Sequence, residues 1–172
     1  MKTTLLFCLF ALLLVGCTEE PQPDGLPPAT TTGEDTFGCL INGETFAIWT
    51  ERSGSEERFV TSGFGSRGSN IIQAGNRVWK GEDTDVSIQI PPPLVADSTY
   101  QFSAVVEVFA NVRYSSGRTR FLTTDLISGS VTLSRWDREA RIISGTFEFT
   151  VANAGDTVRI TEGRFDISEV NL

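Results

Sequence analysis

A chain of 172 residues without one histidine has few ways to perform acid–base or nucleophilic chemistry. Histidine triads, histidine general bases and most zinc or copper sites are excluded by composition alone. A serine nucleophile would need lysine as its base. Lys80 is the one lysine beyond Lys2, and no serine–lysine motif surrounds it. Two carboxylates flanking a groove suffice for a glycosidase, but among 22 Asp and Glu residues any pair could be nominated, so the pattern selects none. Gly81-Glu82-Asp83-Thr84-Asp85 gathers three carboxylates, yet it lacks the spacing and closing glutamate of a calcium loop and reads as a solvated turn between strands. The expectation is a protein that is not an enzyme, with no catalytic residue, no metal site and no cofactor.

The residues best suited to touching a ligand are Trp49, Trp79 and Trp136, because tryptophan faces on a β-sheet stack well on sugars. In Thr45-Phe46-Ala47-Ile48-Trp49, Phe46 and Ile48 share a parity, which places Trp49 on the opposite face if they point inward. Trp136, in Arg135-Trp136-Asp137-Arg138-Glu139, reads as part of a polar turn. Ordinary packing at the end of a sheet accounts for such tryptophans equally well. Gly63, Gly65 and Gly68 precede no helix and form no phosphate loop; they read as bulges or a flexible connection. A formal charge of −8, one unit more negative without Lys2, argues against nucleic acid as a partner.

The amino terminus reads as an address. Lys2 precedes an unbroken apolar run from Leu5 to Val15, too short to span a bilayer, which takes about 20 residues. The run ends in Leu14-Val15-Gly16-Cys17, which resembles the lipobox of bacterial lipoproteins. That resemblance implies a signal peptide over residues 1–16, removed before Cys17, and fatty acylation of Cys17. At about 0.8 kcal/mol per buried methylene, two or three acyl chains make such an attachment practically permanent. Thr18 is not the aspartate that resembles an inner-membrane retention signal, and Glu19-Glu20 is similar to the acidic tract of surface-exported Bacteroidetes lipoproteins. The expected location is the outer membrane, on either its periplasmic or its cell-surface face. Residues 17–35 are rich in proline and threonine and read as a flexible tether. Cys8 leaves with the signal and Cys17 carries lipid, so Cys39 has no disulfide partner and is expected to be buried beside Phe37 and Ile41.

From residue 36 to 172 the texture is that of one all-β domain. Asn42-Gly43 predicts a type I′ hairpin joining strands at 36–41 and 44–49. Further alternating runs lie at 58–64, 70–74, 86–90, 100–113, 118–123, 128–134, 140–151, 156–161 and 164–168. Pro91-Pro92-Pro93 stops one of them. No helical periodicity is sustained, so about ten short strands predict an antiparallel sandwich or barrel with a C-terminal meander. Glu162-Gly163 is read as a two-residue turn that pairs Arg159 with Asp166, while the strand before it sets Glu148 opposite Arg159 on the solvent face.

Ile143-Ser144-Gly145-Thr146-Phe147-Glu148-Phe149, Val158-Arg159-Ile160-Thr161-Glu162-Gly163-Arg164-Phe165-Asp166 and Thr36-Phe37-Gly38-Cys39-Leu40-Ile41-Asn42-Gly43 behind its tether together resemble a group of small uncharacterised Bacteroidetes lipoproteins. The resemblance brings no established activity and no site residues. The resulting expectation is a lipid-anchored envelope protein, a non-catalytic binding or structural module whose partner would be a glycan or a protein. One alternative is a glycan or small-ligand binder using its tryptophans; another is a carboxylate-dependent hydrolase.

Overall fold

The computed structural model describes residues 25–49, 58–64, 69–102, 110–114, 120–121, 126–153 and 156–168. The signal segment, Cys17, the tether up to residue 24, Gly65, Gly68 and residues 103–109 of the long run at 100–113 lie outside them. Among the described residues the structure is all-β. The strands are β1 (Thr36–Ile41), β2 (Glu44–Trp49), β3 (Arg58–Phe64), β4 (Asn70–Trp79), β5 (Glu82–Ile90), β6 (Ser98–Gln101), β7 (Ala110–Tyr114), β8 (Arg120–Phe121), β9 (Leu126–Asp137), β10 (Ile142–Asn153) and β11 (Asp156–Ile167).

Two antiparallel sheets form, one in the order β2-β1-β11-β10-β9-β6 and one in the order β3-β4-β5-β7-β8. They are open and stack as a sandwich, which resolves the choice between sandwich and barrel. Their apolar faces meet in one core. Phe37, Cys39 and Ile41 of β1 are buried on a single face, as their shared parity requires. Val86, Ile88 and Ile90 of β5 and Phe147, Phe149 and Val151 of β10 supply the facing layers. Phe37 and Phe46 meet edge to face at 6.3 Å, and Phe147 packs against Phe37 with ring centres 5.2 Å apart.

Two turns reverse the chain in the same way. Asn42 and Gly43 have φ of 53° and 83°, the pair of positive angles a type I′ hairpin needs. Lys80 and Gly81, with φ of 53° and 80°, repeat the geometry between β4 and β5. Because that turn takes only two residues, the acidic stretch after it is strand rather than the solvated turn read from composition. Thr84 and Asp85 are buried within β5.

The C-terminal meander is β9-β10-β11, and its register corrects the expected one. β11 is one continuous strand, and Glu162-Gly163 is a bulge within it. Phe147 pairs with Gly163 but Phe149 with Ile160, and Gly38 pairs with Arg164 but Leu40 with Thr161. Both neighbours therefore meet one extra residue on β11 at the same place. The extra residue resets the parity, so Val158 and Ile160 before it and Phe165 and Ile167 after it all face the core. A hairpin would have kept the same faces, which is why the alternation alone misleads. Consequently Arg159 stands opposite Thr150, and Asp166 opposite Ser144 and Thr36; the predicted Glu148–Arg159–Asp166 ladder does not form.

The packed structure also begins before β1. Residues 25–35, assigned to the tether by composition, lie on the outer face of the six-stranded sheet, with Leu26 buried.

Candidate functional site

The outer face of that sheet, turned away from the core, is polar because every strand in it alternates. One row across it runs Trp49, Thr36, Asp166, Ser144 and Arg135, from β2 to β9. The next runs Ala47, Gly38, Arg164, Thr146, Thr132 and Thr99. Ser130 and Glu148 start a third.

A strap formed by residues 25–35 crosses the first two rows, and Asp166 holds it. The buried carboxylate accepts hydrogen bonds from the Thr30 hydroxyl at 2.7 Å and from the backbone N–H groups of Thr32, Gly33 and Glu34 at 3.0, 2.9 and 3.1 Å. The Ser144 hydroxyl donates to its other oxygen. Burial pulls this carboxyl upward, but the bonds from Ser144, Thr30, Glu34 and Gly33 outweigh it and hold it below the usual carboxylate range. Asp35 fastens the end of the strap, accepting from the Ser168 N–H at 2.7 Å and from its hydroxyl. Arg135 donates to the Thr31 carbonyl at 2.7 Å and to the Asp137 carboxylate at 2.8 Å. At the other end, Pro27 and Leu26 lie directly on Gly38; a Cβ there would stand 2.5 Å from Pro27 Cδ. The second row therefore needs glycine where the strap crosses it.

Beside the strap opens a groove of about 620 Å³, a size suited to a small molecule or a short chain segment. Ala29 of the strap forms one wall. Ser130 and Thr132 of β9, Thr146, Phe147 and Glu148 of β10 and the bulge residues Glu162 and Gly163 also line it, with Arg164. Thr132 shares a 2.8 Å hydroxyl contact with Thr99. Arg164 is largely buried: it donates to the Pro27 carbonyl at 3.3 Å and the Glu162 carbonyl at 3.2 Å, and lies 3.6 Å from the Glu162 carboxylate. The bulge thus does two things. It keeps apolar side chains in the core, and it turns Glu162 into the groove beside Arg164.

The three tryptophans do not form one surface. Trp79, at the end of β4, bridges the two sheets: its indole N–H donates to the Thr45 carbonyl of β2 at 2.9 Å and its ring meets Phe46 edge to face at 5.8 Å. Lys80 lies over the same ring at 5.4 Å and pairs with Glu44. Trp49 stands four residues further along β2, roughly 13 Å away at the rise of a strand, on the polar face opposite Thr36. Trp136, expected in a polar turn, lies instead within β9, opposite buried Ile143 and packed against the core. The turn comes after it, at residues 138–141, where the Asp137 carboxylate caps the N–H groups of Glu139 and Ala140. β9 lies four strands from β2, about 19 Å away across the sheet. Burial pushes the Cys39 thiol up, which keeps it protonated and inert.

Sequence reasoning missed Asp166 as an organising group, and it missed Arg164, Thr132 and Thr146. The alternation marked them only as members of a polar face.

Residues 62–167 match the model of a family described as a domain of unknown function (DUF6252). No curated protein and no solved structure matches the chain.

Proposed function

The chain belongs to the DUF6252 family, and on that premise we propose that it is a lipid-anchored protein of the bacterial cell envelope, attached to the outer membrane, acting as a non-catalytic binding or structural module. The strap is the observation that carries this reading. A lipid on Cys17 would pull on the chain entering at Gly25. Without the strap, that load would fall on the first residues of β1. With it, the load passes to Asp166 on β11 and, through Ser144, to β10, at the middle of the sheet. Hydrogen bonds to a charged acceptor are worth about 1.5–3 kcal/mol each, so the fastening is strong for so short a segment. The absence of histidine and the commitment of the Asp166 carboxylate to structural donors both favour a role without catalysis. The polar groove beside the strap favours binding.

Membrane fractionation of cells expressing the native chain and Cys17→Ser tests the reading. The native chain is expected with the membranes and the variant in the soluble fraction or as unprocessed precursor. A Cys17→Ser protein that is cut and membrane-bound like the native one would contradict it.

A further inference from the structure

We propose that the groove between the strap and the outer face of the six-stranded sheet binds a neutral, polyhydroxylated ligand, a segment of a saccharide chain. The proposal rests on the binding-module reading and supplies its ligand class and site. The lining chemistry carries it. Ser130, Thr132 and Thr146 present hydroxyls that both donate and accept, at the spacing of neighbouring strands and of alternate residues along one strand. Glu148 and Glu162 add acceptors. A ligand rich in hydroxyl groups can satisfy all of these at once.

Other classes fit worse. An anion would meet two carboxylates, and among the described lining residues the one cation, Arg164, is already engaged by Glu162 and the Pro27 carbonyl. A cation would have to lie beside that guanidinium. An apolar ligand would find little to cover it among the described lining residues, where Ala29 and Gly163 are small and the Phe147 ring packs in the core against Phe149 and Phe165. Among the described lining residues the one ring, Phe147, is buried and offers no stacking face, so recognition depends on hydrogen bonds made in competition with water. The affinity expected is correspondingly weak, with Kd about 1–10 mM.

The test uses the full chain and follows backbone amide NMR shifts on titration with neutral hexasaccharides of glucose, xylose and mannose. Hexagalacturonate and a chitosan hexamer serve as anionic and cationic comparators. At least one neutral hexasaccharide should shift the amides of Thr132, Thr146 and Glu148 and leave those of Trp49 and Trp79 in place. Thr146→Trp, which fills the groove, should weaken binding at least tenfold. Thr132→Val, which keeps the shape and removes one hydroxyl, should weaken it several-fold and serves if the larger substitution unfolds the protein. Shifts unchanged in both variants, or centred on the tryptophans, would overturn the groove assignment. Tighter binding of either charged oligomer would overturn the neutral class. No binding by any neutral hexasaccharide, from a chain that still fractionates with membranes, would overturn the proposal and leave the anchoring intact.

Discussion

The N–H of Gly33 lies 2.9 Å from both carboxylate oxygens of Asp166, across the outer face of the six-stranded sheet. The two residues are far apart in sequence, and their contact converts a proline- and threonine-rich stretch into part of the folded domain. Asp166→Asn keeps the shape but presents an amide to donors that need an acceptor. It should cost about 3 kcal/mol and free the strap. Hydrogen exchange should show faster exchange at Thr32, Gly33 and Glu34 with β4 and β5 unaffected; unchanged protection of the strap would refute the assignment.

Acid should loosen the same contact. The Asp166 carboxyl titrates below its unfolded value of about 3.9, so its contribution is complete above that pH and is lost as the pH falls through the folded value. Protection of the strap amides should be constant from pH 7 to about pH 4 and decline below it. Strap protection that instead fell as the pH rose would reverse the sign and contradict the account.

Gly38→Ala places a methyl group 2.5 Å from Pro27 Cδ, so the strap must lift there. A cost of about 1–3 kcal/mol is expected, with the sandwich still folded. Limited proteolysis should cut the variant within residues 25–35 sooner than the native chain.

Gly163→Ala is expected to be worse, because the new Cβ would stand 2.4 Å from the Phe147 carbonyl oxygen and 2.6 Å from its ring. Neither the backbone nor the core ring can give way easily. A loss of about 3 kcal/mol in denaturant unfolding is anticipated. A fully stable variant would show that the bulge is not built as described.

Cys39 should resist thiol reagents until the protein unfolds, since it is completely buried and its thiol is pushed up by desolvation. Labelling under native conditions at the rate of an exposed thiol would place it elsewhere.

The sandwich was largely legible in the sequence. β1, β2 and β3 have the predicted bounds, and the Asn42-Gly43 turn is of the predicted type. Alternation reports which face a residue takes, and that is the information these strands carry. It does not report which residue lies opposite. At Glu162-Gly163 a parity change is compatible with a hairpin or a bulge, and only the pairing with β1 and β10 together distinguishes them. The strap was invisible for another reason. Its composition has no periodicity, and it is held through backbone N–H groups by a distant aspartate. That Trp79 joins the two sheets was not legible either, because its contacts with Thr45 and Phe46 come from a distant strand. The groove followed from neither composition nor motif, because strap, bulge and cross-strand register create it jointly.

The proposed lipid on Cys17 is tested most directly by the intact mass of the chain extracted from membranes. The expected chain begins at Cys17 and carries added mass corresponding to a diacylglyceryl group and an amide-linked acyl chain. A chain with a free, unmodified amino terminus beyond Cys17 would contradict it.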